Sequence, residues 1–521
     1  MRKISGKQEE YAMKLTVYEG KERRELEFSE GETILTVLQR GGIRSAEAPC
    51  GGKGICKKCN VYVRSENFCG IRLSCLTPAE DEMIVEVTPE VRVSFAQSGT
   101  GEIYPPTPGQ SGYAVACDIG TTTVICHLLR LDTGERLAAI SGSNSQSMFG
   151  GNVLARLQAA AEGKASELTG LLIHQLNSYI RAMCREANVP LEEVKLLSAA
   201  GNTIMLHFLA GLNPAEQGIA PFRPLSLFGE LLPSRALGLC FDGQAYLCPA
   251  VSGLIGGDIT AGMLAAGLAK AEKPVLMADL GTNSEMILGC GGKFVACTAD
   301  AGAAFKASLL DKGMTASAGA IAGVEYADGE LKLRVLGGDN VKPLGVCGSG
   351  MIDALGIMYR LEVLDEMGHI VDPEDAAPEA AKFIGEAEGG KVFFLTENHK
   401  VYITQKDISK FQLAKAAISA GIRILAEEQN IRLSDVAETC LAGGFGTFVR
   451  PNNAAAIGLI PSELLDGARL LGNASAAGAI SAAVSAEARA DLLRLRDSVH
   501  FIDLPTHPSF GDAYIEGMMF E

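Results

Sequence analysis

The chain has 521 residues, 47% of them hydrophobic and 21% charged, a balance that builds packed cores and excludes a disordered chain. A net charge of −16 argues against general binding to nucleic acid or anionic membranes. The length suggests about three to four domains. The polar opening MRKISGKQEEYAMK lacks the apolar core of a signal peptide, and no uncharged apolar run of ~18 residues predicts a membrane span. Nine of the 14 cysteines are scattered singly, mostly in apolar strand-like stretches (Cys117, Cys126, Cys290, Cys297). Such usage predicts reduced core thiols in a cytoplasmic protein.

In chain order, residues 1–12 read as a mobile tail, Met13–Phe28 as a strand pair and Glu32–Arg40 as a short helix. A glycine-rich loop follows, APCGGKGICKKCNVYV, with Cys50, Cys56 and Cys59 spaced C-x5-C-x2-C and Cys75 closing IRLSC. A disulfide set is disfavoured in a reducing compartment. A zinc site ordinarily pairs two C-x2-C knuckles, and only one is present. A [2Fe–2S] cluster takes three thiolates from a glycine-rich loop and a fourth from farther along, the layout of β-grasp ferredoxins. Cys75 is preferred over Cys69 as the fourth ligand, with Cys69 left as a spare thiol. The short interval from Cys59 to Cys75 predicts that the helix usually found there is missing. Met83–Val93 reads as a closing strand, and 94–112, rich in Gly, Pro, Ser and Thr, as a semi-stiff linker.

From Tyr113 onward one pattern organises the chain. AVACDIGTTTV (Ala114–Val124) returns as LMADLGTNSEM (Leu276–Met286), aligning Asp118 with Asp279, Gly120 with Gly281 and Thr121 with Thr282. An Asp-x-Gly-Thr turn between strands suits a phosphate. Glycine admits close approach, amides and hydroxyls donate to oxygens, and the Asp holds Mg²⁺ directly or through water. Singly it is also an ordinary hairpin turn; the pair predicts two half-domains around a nucleotide.

Between the copies, Leu137–Gly142 reads as a strand and 152–161 and Glu167–Glu186 as helices. Leu196–Ala200 reads as a buried strand ending in Gly201–Asn202–Thr203, which either caps a helix or presents an amide to a ligand. Residues 212–248 read as an irregular excursion. Asp258, in VSGLIGGDITAGM, is either an N-cap or a residue reaching the phosphate site. In the second half Gly348–Ser349–Gly350 opens a helix, and 361–400 is a polar excursion with a strand at Val392–Leu395. Asp407–Asn430 is a helix capped by Asp407, with Ile408, Phe411, Ala414, Ile418, Ile422 and Leu425 as its core stripe. ETCLAGGFGTFV places Gly443, Gly444, Gly446 and Thr447 after a buried strand, where backbone can approach a base or ribose. An Ala-rich helix and a last strand near Val499–Leu504 end the chain.

The order DIGTTT, AGNT, DLGTNSE, CGSG and LAGGFG resembles the phosphate, connecting and adenosine motifs of the acetate and sugar kinase/Hsp70/actin superfamily. With the cysteine loop in front, and with ITQKDISKFQLAKAAISAGI, the chain resembles the reductive activators of corrinoid-dependent enzymes over residues 13–93 and 113–521. The implied fold is α/β, an ATPase of two ribonuclease H-like lobes (113–272 and 273–521), behind an N-terminal α+β β-grasp [2Fe–2S] domain (1–93). The resemblance implies cluster ligation by Cys50, Cys56, Cys59 and Cys75. It implies Mg²⁺ and phosphate binding by Asp118 and Asp279 with Gly120, Thr121, Thr122, Thr123, Gly281, Thr282 and Asn283. Nucleoside contacts fall to Gly348, Ser349 and Gly443–Thr447. Asn202 joins the nucleotide site, and Glu285 and Asp258 are the candidates for a hydrolytic base.

The implied activity is ATP-dependent reduction of a Co(II) corrinoid to Co(I). The partners would be a corrinoid protein or corrinoid-dependent methyltransferase and a low-potential electron donor, with a homodimer open. Longer members carry an extra domain between linker and ATPase; here the linker runs straight into Tyr113, so that middle domain is expected to be missing. The rival readings are a small-molecule kinase with an accessory cluster and an ATP-gated electron carrier for a non-corrinoid enzyme.

Overall fold

A computed structural model describes residues 13–19, 22–43, 52, 59–65, 68–87, 101–281, 283–299, 310–314, 316, 319–337, 341–387, 390–443 and 449–520. The expected tail, Cys50, Cys56, Thr282, Gly444, Gly446 and Thr447 lie outside them. The chain divides into two compact units, 1–91 with 145–155, and 92–144 with 156–521. No helix among the described residues is long and apolar enough to cross a membrane.

In the first unit β1 (Met13–Glu19), β2 (Glu22–Phe28), β3 (Asn60–Ser65), β4 (Phe68–Leu73) and β5 (Ile84–Val87) form one mixed sheet in the order β2-β1-β5-β3-β4. β1 pairs in parallel with β5 and antiparallel with β2. Leu15, Val17, Val61, Val63 and Val85 alternate inward, as a half-buried sheet requires. They meet Ile34, Val37 and Leu38, one face of helix Ile34–Arg40, whose first turn is capped by Thr33. A single helix on such a sheet is the β-grasp arrangement. The β3–β4 hairpin occupies the interval between Cys59 and Cys75.

The second unit repeats one sheet plan. β6 (Tyr113–Ile119), β7 (Thr123–Arg130), β8 (Arg136–Ser143), β9 (Val194–Gly201), β10 (Leu231–Pro233) and β11 (Gln244–Leu247) run in the order β10-β11-β9-β6-β7-β8. β12 (Val275–Leu280), β13 (Ser284–Cys290) and β14 (Lys293–Ala299) open the second copy. Two three-stranded sheets follow: β15 (Ala320–Ala327), β16 (Glu330–Val335) and β17 (Gly345–Val346); then β18 (Ile384–Ala387), β19 (Gly390–Phe394) and β20 (Tyr402–Thr404). β21 (Glu438–Ala442), β22 (Ala468–Gly472) and β23 (Val499–Ile502) complete the order β22-β21-β12-β13-β14-β23. The registers agree: Asp118 on β6 lies beside Ala200 on β9, and Asp279 on β12 beside Ala442 on β21.

Each copy sends one helix across. Helix Gly257–Ala265, following β11, packs on β9 and β12; helix Ala474–Val484, following β22, packs on β6 and β9. The two also pack on each other so closely that a Cβ on Gly478 would lie 2.1 Å from the Ala261 carbonyl oxygen. Alanines and glycines are therefore dictated by backbone contact, and residues of both sheets share one buried cluster.

Four local expectations change. The linker is not free throughout: residues 101–112 dock on the second unit, where Tyr104 is only 2% exposed and its hydroxyl donates to Asp491 at 2.6 Å. Composition could not show this, because the contact residues lie nearly 400 positions away in sequence. The cap of helix Gln405–Gln429 is Thr404, which is extended and accepts from the Asp407 amide; Asp407 sits at the third helical position as its capping-box partner. The excursion 212–248 contains β11, which pairs with β9, and 361–400 builds β18 and β19. The closing strand of the first unit is Ile84–Val87, with 88–93 outside the described residues.

Candidate functional site

At one end of the first unit's sheet, Asn60 pairs with Leu73 and the Ser74 amide donates to the Cys59 carbonyl at 2.8 Å, which brings Cys59 together with Cys75, the residue after Ser74. Their sulfurs are 3.1 Å apart and both side chains are buried. Gly52, at φ +80°, lies next to Cys75, where its ideal Cβ would be 3.9 Å from the Cys75 Cβ. Cys69 pairs with Arg64, four rows along the strand, about 13 Å from that end at the usual rise. Two adjacent buried thiols beside a left-handed glycine turn fit a cluster held at the sheet end. The other two expected ligands, Cys50 and Cys56, are outside the described residues.

In the second unit the two Asp-bearing turns sit at the ends of β6 and β12. The first turn is braced from three directions. Asn144 Nδ2 donates to the Gly120 carbonyl at 2.9 Å and the Asn144 amide to the Thr122 carbonyl at 2.7 Å. The guanidinium of Arg156 donates to the Thr121 carbonyl. Arg156 is fully buried, and burial lowers its pKa to about 9, so it remains cationic at neutral pH. Asn202 caps helix Thr203–Leu209 by accepting from the Met205 amide at 3.0 Å, while its Nδ2 donates to Thr121 Oγ1 at 3.0 Å. Capping and turn-holding are thus one residue's work. Thr122 and Thr123 point outward and are exposed.

Asp118 is held by the helix that crosses from the other sheet. Asn473 Nδ2 donates to one carboxylate oxygen and Ser475 Oγ to the other, each at 2.8 Å, while Asn473 Oδ1 caps that helix. Asn473 therefore repeats the double use made of Asn202. Burial raises the pKa of Asp118, and these two donors oppose the rise.

Asp279 meets different company. The crossing helix Gly257–Ala265 is capped by Gly256, not Asp258, which lies in the first turn, the place Ser475 holds in its counterpart. A Cβ on Gly256 would come within 2.6 Å of Asp258 Oδ1 and 2.5 Å of Asn202 Cα, so only glycine lets Asp258 and Asn202 share this corner. Glu285 is directly opposite Asp279 in the β12–β13 pair. Burial, then Asp118, raises Asp279 to about 7; burial, then Asp279 and Asp118, raises Asp258 to about 8. Glu285 is pushed well up by burial, then by Asp258 and Asp279. Gly443, at φ +88°, closes the corner: a Cβ there would lie 2.4 Å from Asp279 Oδ1. Gly281 and the exposed Asn283 follow Asp279 in the same turn.

Repelling carboxylates held together by a fold call for a cation, and oxygen-rich acidic corners suit Mg²⁺. Among the described residues no three His, Cys, Asp or Glu side chains converge tightly enough to ligate a metal by themselves. That matches an ion bound through one or two carboxylates with water and phosphate completing its shell.

Gly348 and Ser349 open helix Gly348–Arg360. Both are buried, and Ser349 Oγ donates to the Ala322 carbonyl at 2.8 Å. A Cβ on Gly350 would strike the Ile321 carbonyl oxygen at 2.2 Å, so close helix-to-strand contact requires glycine there. Asn144, Arg156, Asn473 and Ser475 were not legible as site residues. The Asn-x-Ser at a helix start was the one usable signal, and it resembles any cap.

Comparison with known proteins follows the same division. Residues 17–85 match the 2Fe-2S iron-sulfur cluster binding domain, 113–271 the RACo middle region, and 273–521 the C-terminal domain of RACo, the ASKHA domain. The chain is 33% identical over 424 residues to the corrinoid activation enzyme RamQ of Eubacterium limosum, covering 78% of this chain and 70% of that one. It is 24% identical over 384 residues to the [Co(II) methylated amine-specific corrinoid protein] reductase of Methanosarcina barkeri, covering 67% and 66%. A solved reductive activator for corrinoid, iron-sulfur protein superposes with a TM-score of 0.69 at 26% identity, covering 98% of both chains. The match over 113–271 overturns the expectation that the middle domain is missing: it is the segment read as the first ATPase lobe. From its iron–sulfur domain through its middle region to its ASKHA domain, this chain belongs to the family of reductive activators of corrinoid proteins.

Proposed function

We propose that this chain is an ATP-dependent reductive activator that returns a partner protein's Co(II) corrinoid to Co(I), drawing one electron from a low-potential donor. The observation that carries the reading is the meeting of Cys59 and Cys75 sulfurs at 3.1 Å at the end of a ferredoxin-like sheet. The same chain holds two Asp turns in matching register. Cys50, Cys56, Cys59 and Cys75 would hold a [2Fe–2S] cluster, which supplies the one-electron carrier when bound. Cys69 is left outside the ligand set.

Asp279 and Asp118 would hold Mg²⁺, directly or through water, and the cation would let the neighbouring carboxylates ionise. The Gly120–Thr123 and Gly281–Asn283 turns would donate to phosphates, with Asn202 fixing the first turn and Gly443–Thr447 approaching the nucleoside. Glu285 and Asp258 would orient a water for hydrolysis. The lobes would divide near residue 272.

ATP contributes only through unequal affinity of its bound states for two conformations or for the partner. Each ~1.4 kcal/mol of that inequality moves a one-electron couple by roughly 59 mV. The test mixes protein, titanium(III) citrate and a Co(II) corrinoid protein and follows the Co(I) absorption band. The band should grow with ATP and stay low without it; equal growth in both refutes the coupling.

A further inference from the structure

The docked segment 101–112 touches the helices that build the acidic corner, at their opposite ends. The Glu102 amide donates at 2.8 Å to the carbonyl of Ala265, the last residue of helix Gly257–Ala265. The Thr107 amide and Gln110 Nε2 donate at 3.0 and 2.8 Å to the carbonyl of Val484, the last residue of helix Ala474–Val484. Tyr104 lies between them, its amide on Ser481 Oγ at 3.2 Å and its hydroxyl on Asp491. Lys270 pairs with Glu102 at 2.7 Å and stands 4.6 Å from the centre of the Tyr104 ring. Thr107 Oγ1 accepts from the Ala486 amide at 2.8 Å, tying in the next helix.

The strap therefore satisfies carbonyls that both helix ends leave unpaired, and it fastens the two ends to each other. At their first turns the same helices carry Asp258 on one side and Asn473 and Ser475 on the other. The helices are nine and eleven residues long, so the strap lies roughly 13–17 Å from the acidic corner along rigid rods. A change in the angle between the rods at the corner must be met at the strap. The strap's own continuation is β6, the strand that carries Asp118.

We propose that the strap 101–112 is a transmission element. Nucleotide binding at the Asp118–Asp279 corner shifts the crossing helices, and the strap carries that shift between their far ends and into β6. The inference rests on the nucleotide reading of the corner. Tyr104 acts as its pin, since its amide bonds Ser481 of helix Ala474–Val484 while its buried side chain bonds Asp491.

The experiment uses the full chain and hydrogen exchange of the peptide covering 101–112, with and without a non-hydrolysable ATP analogue, alongside direct measurement of analogue binding. With the analogue bound, exchange at the Glu102 and Thr107 amides should change at least fivefold. Tyr104→Phe should bind the analogue within threefold of wild type but lose that dependence, and lose at least threefold of the ATP stimulation of Co(I) formation. Asp491→Asn retains an acceptor for the Tyr104 hydroxyl and should behave as wild type. Analogue bound with unchanged exchange in the wild-type strap overturns the proposal, and this arm needs no variant to fold. Absence of analogue binding instead refutes the nucleotide reading, and the proposal with it.

Discussion

The two Asp turns of the second unit occupy equivalent places in equivalent sheets, yet their surroundings differ in kind. Asp118 has a hydrogen-bond donor on each oxygen, supplied by Asn473 and Ser475. Asp279 faces Asp258 and Glu285, so the same crossing-helix position that gives Asp118 a hydroxyl gives Asp279 a second acid. One turn is complete within the protein. The other is crowded with acids whose ionisation a divalent cation would favour. A duplicated scaffold has thus acquired a donor-rich jaw and an acid-rich jaw through one side chain on each crossing helix.

The strongest test of that asymmetry exchanges each Asp for Asn. Asp279→Asn should lower ATP-dependent Co(I) formation by about 10²–10³-fold, the size seen when one group is removed from a preorganised electrostatic site. Asp118→Asn should cost about tenfold or less. A larger loss at Asp118 would reverse the assignment of the two jaws.

A smaller effect is expected from the paired caps. Asn473→Ala removes a helix cap and a donor to a carboxylate, whereas Asn202→Ala removes a cap and a donor to a hydroxyl. Bonds to charged groups are worth about 1.5–3 kcal/mol and neutral ones about 0.5–1.5. Chemical denaturation should therefore show Asn473→Ala as the more destabilised by about 1 kcal/mol; the opposite order would mean that Asp118 draws little from its donors.

The smallest expected signal is in the pH dependence of melting. Asp279 at about 7 and Asp258 at about 8 stand above the ordinary carboxylate value, because burial and mutual repulsion disfavour their ionised forms. Groups raised in the folded state favour folding fully below about pH 4, and that contribution fades as pH rises through 7–8. Metal-free protein should accordingly lose stability across that window. Added Mg²⁺ should raise the melting temperature by a few degrees at pH 8 and hardly at all at pH 5. A gain that is equal at both pH values would place the cation away from these acids.

The residues of the chain sufficed for the plan of the molecule. Periodicity and glycine placement marked the strands around Asp118 and Asp279, because a buried strand followed by a tight turn is a local requirement that any sequence must meet. The cysteine spacing marked the iron–sulfur loop for the same reason. What stayed illegible was long-range. Asn473 and Ser475 reach Asp118 across some 350 positions, and Tyr104 reaches Asp491 across nearly 400. Asn202 and Asn473 read alike as helix caps. Only the folding of two similar sheets around a shared helix pair decides that one holds a threonine hydroxyl and the other a buried carboxylate. Sequence alone determined that two acidic turns exist. Tertiary structure decided their unequal surroundings, because Asn473 and Ser475 reach Asp118 from the second half of the repeat and Asp258 reaches the Asp279 corner from the first.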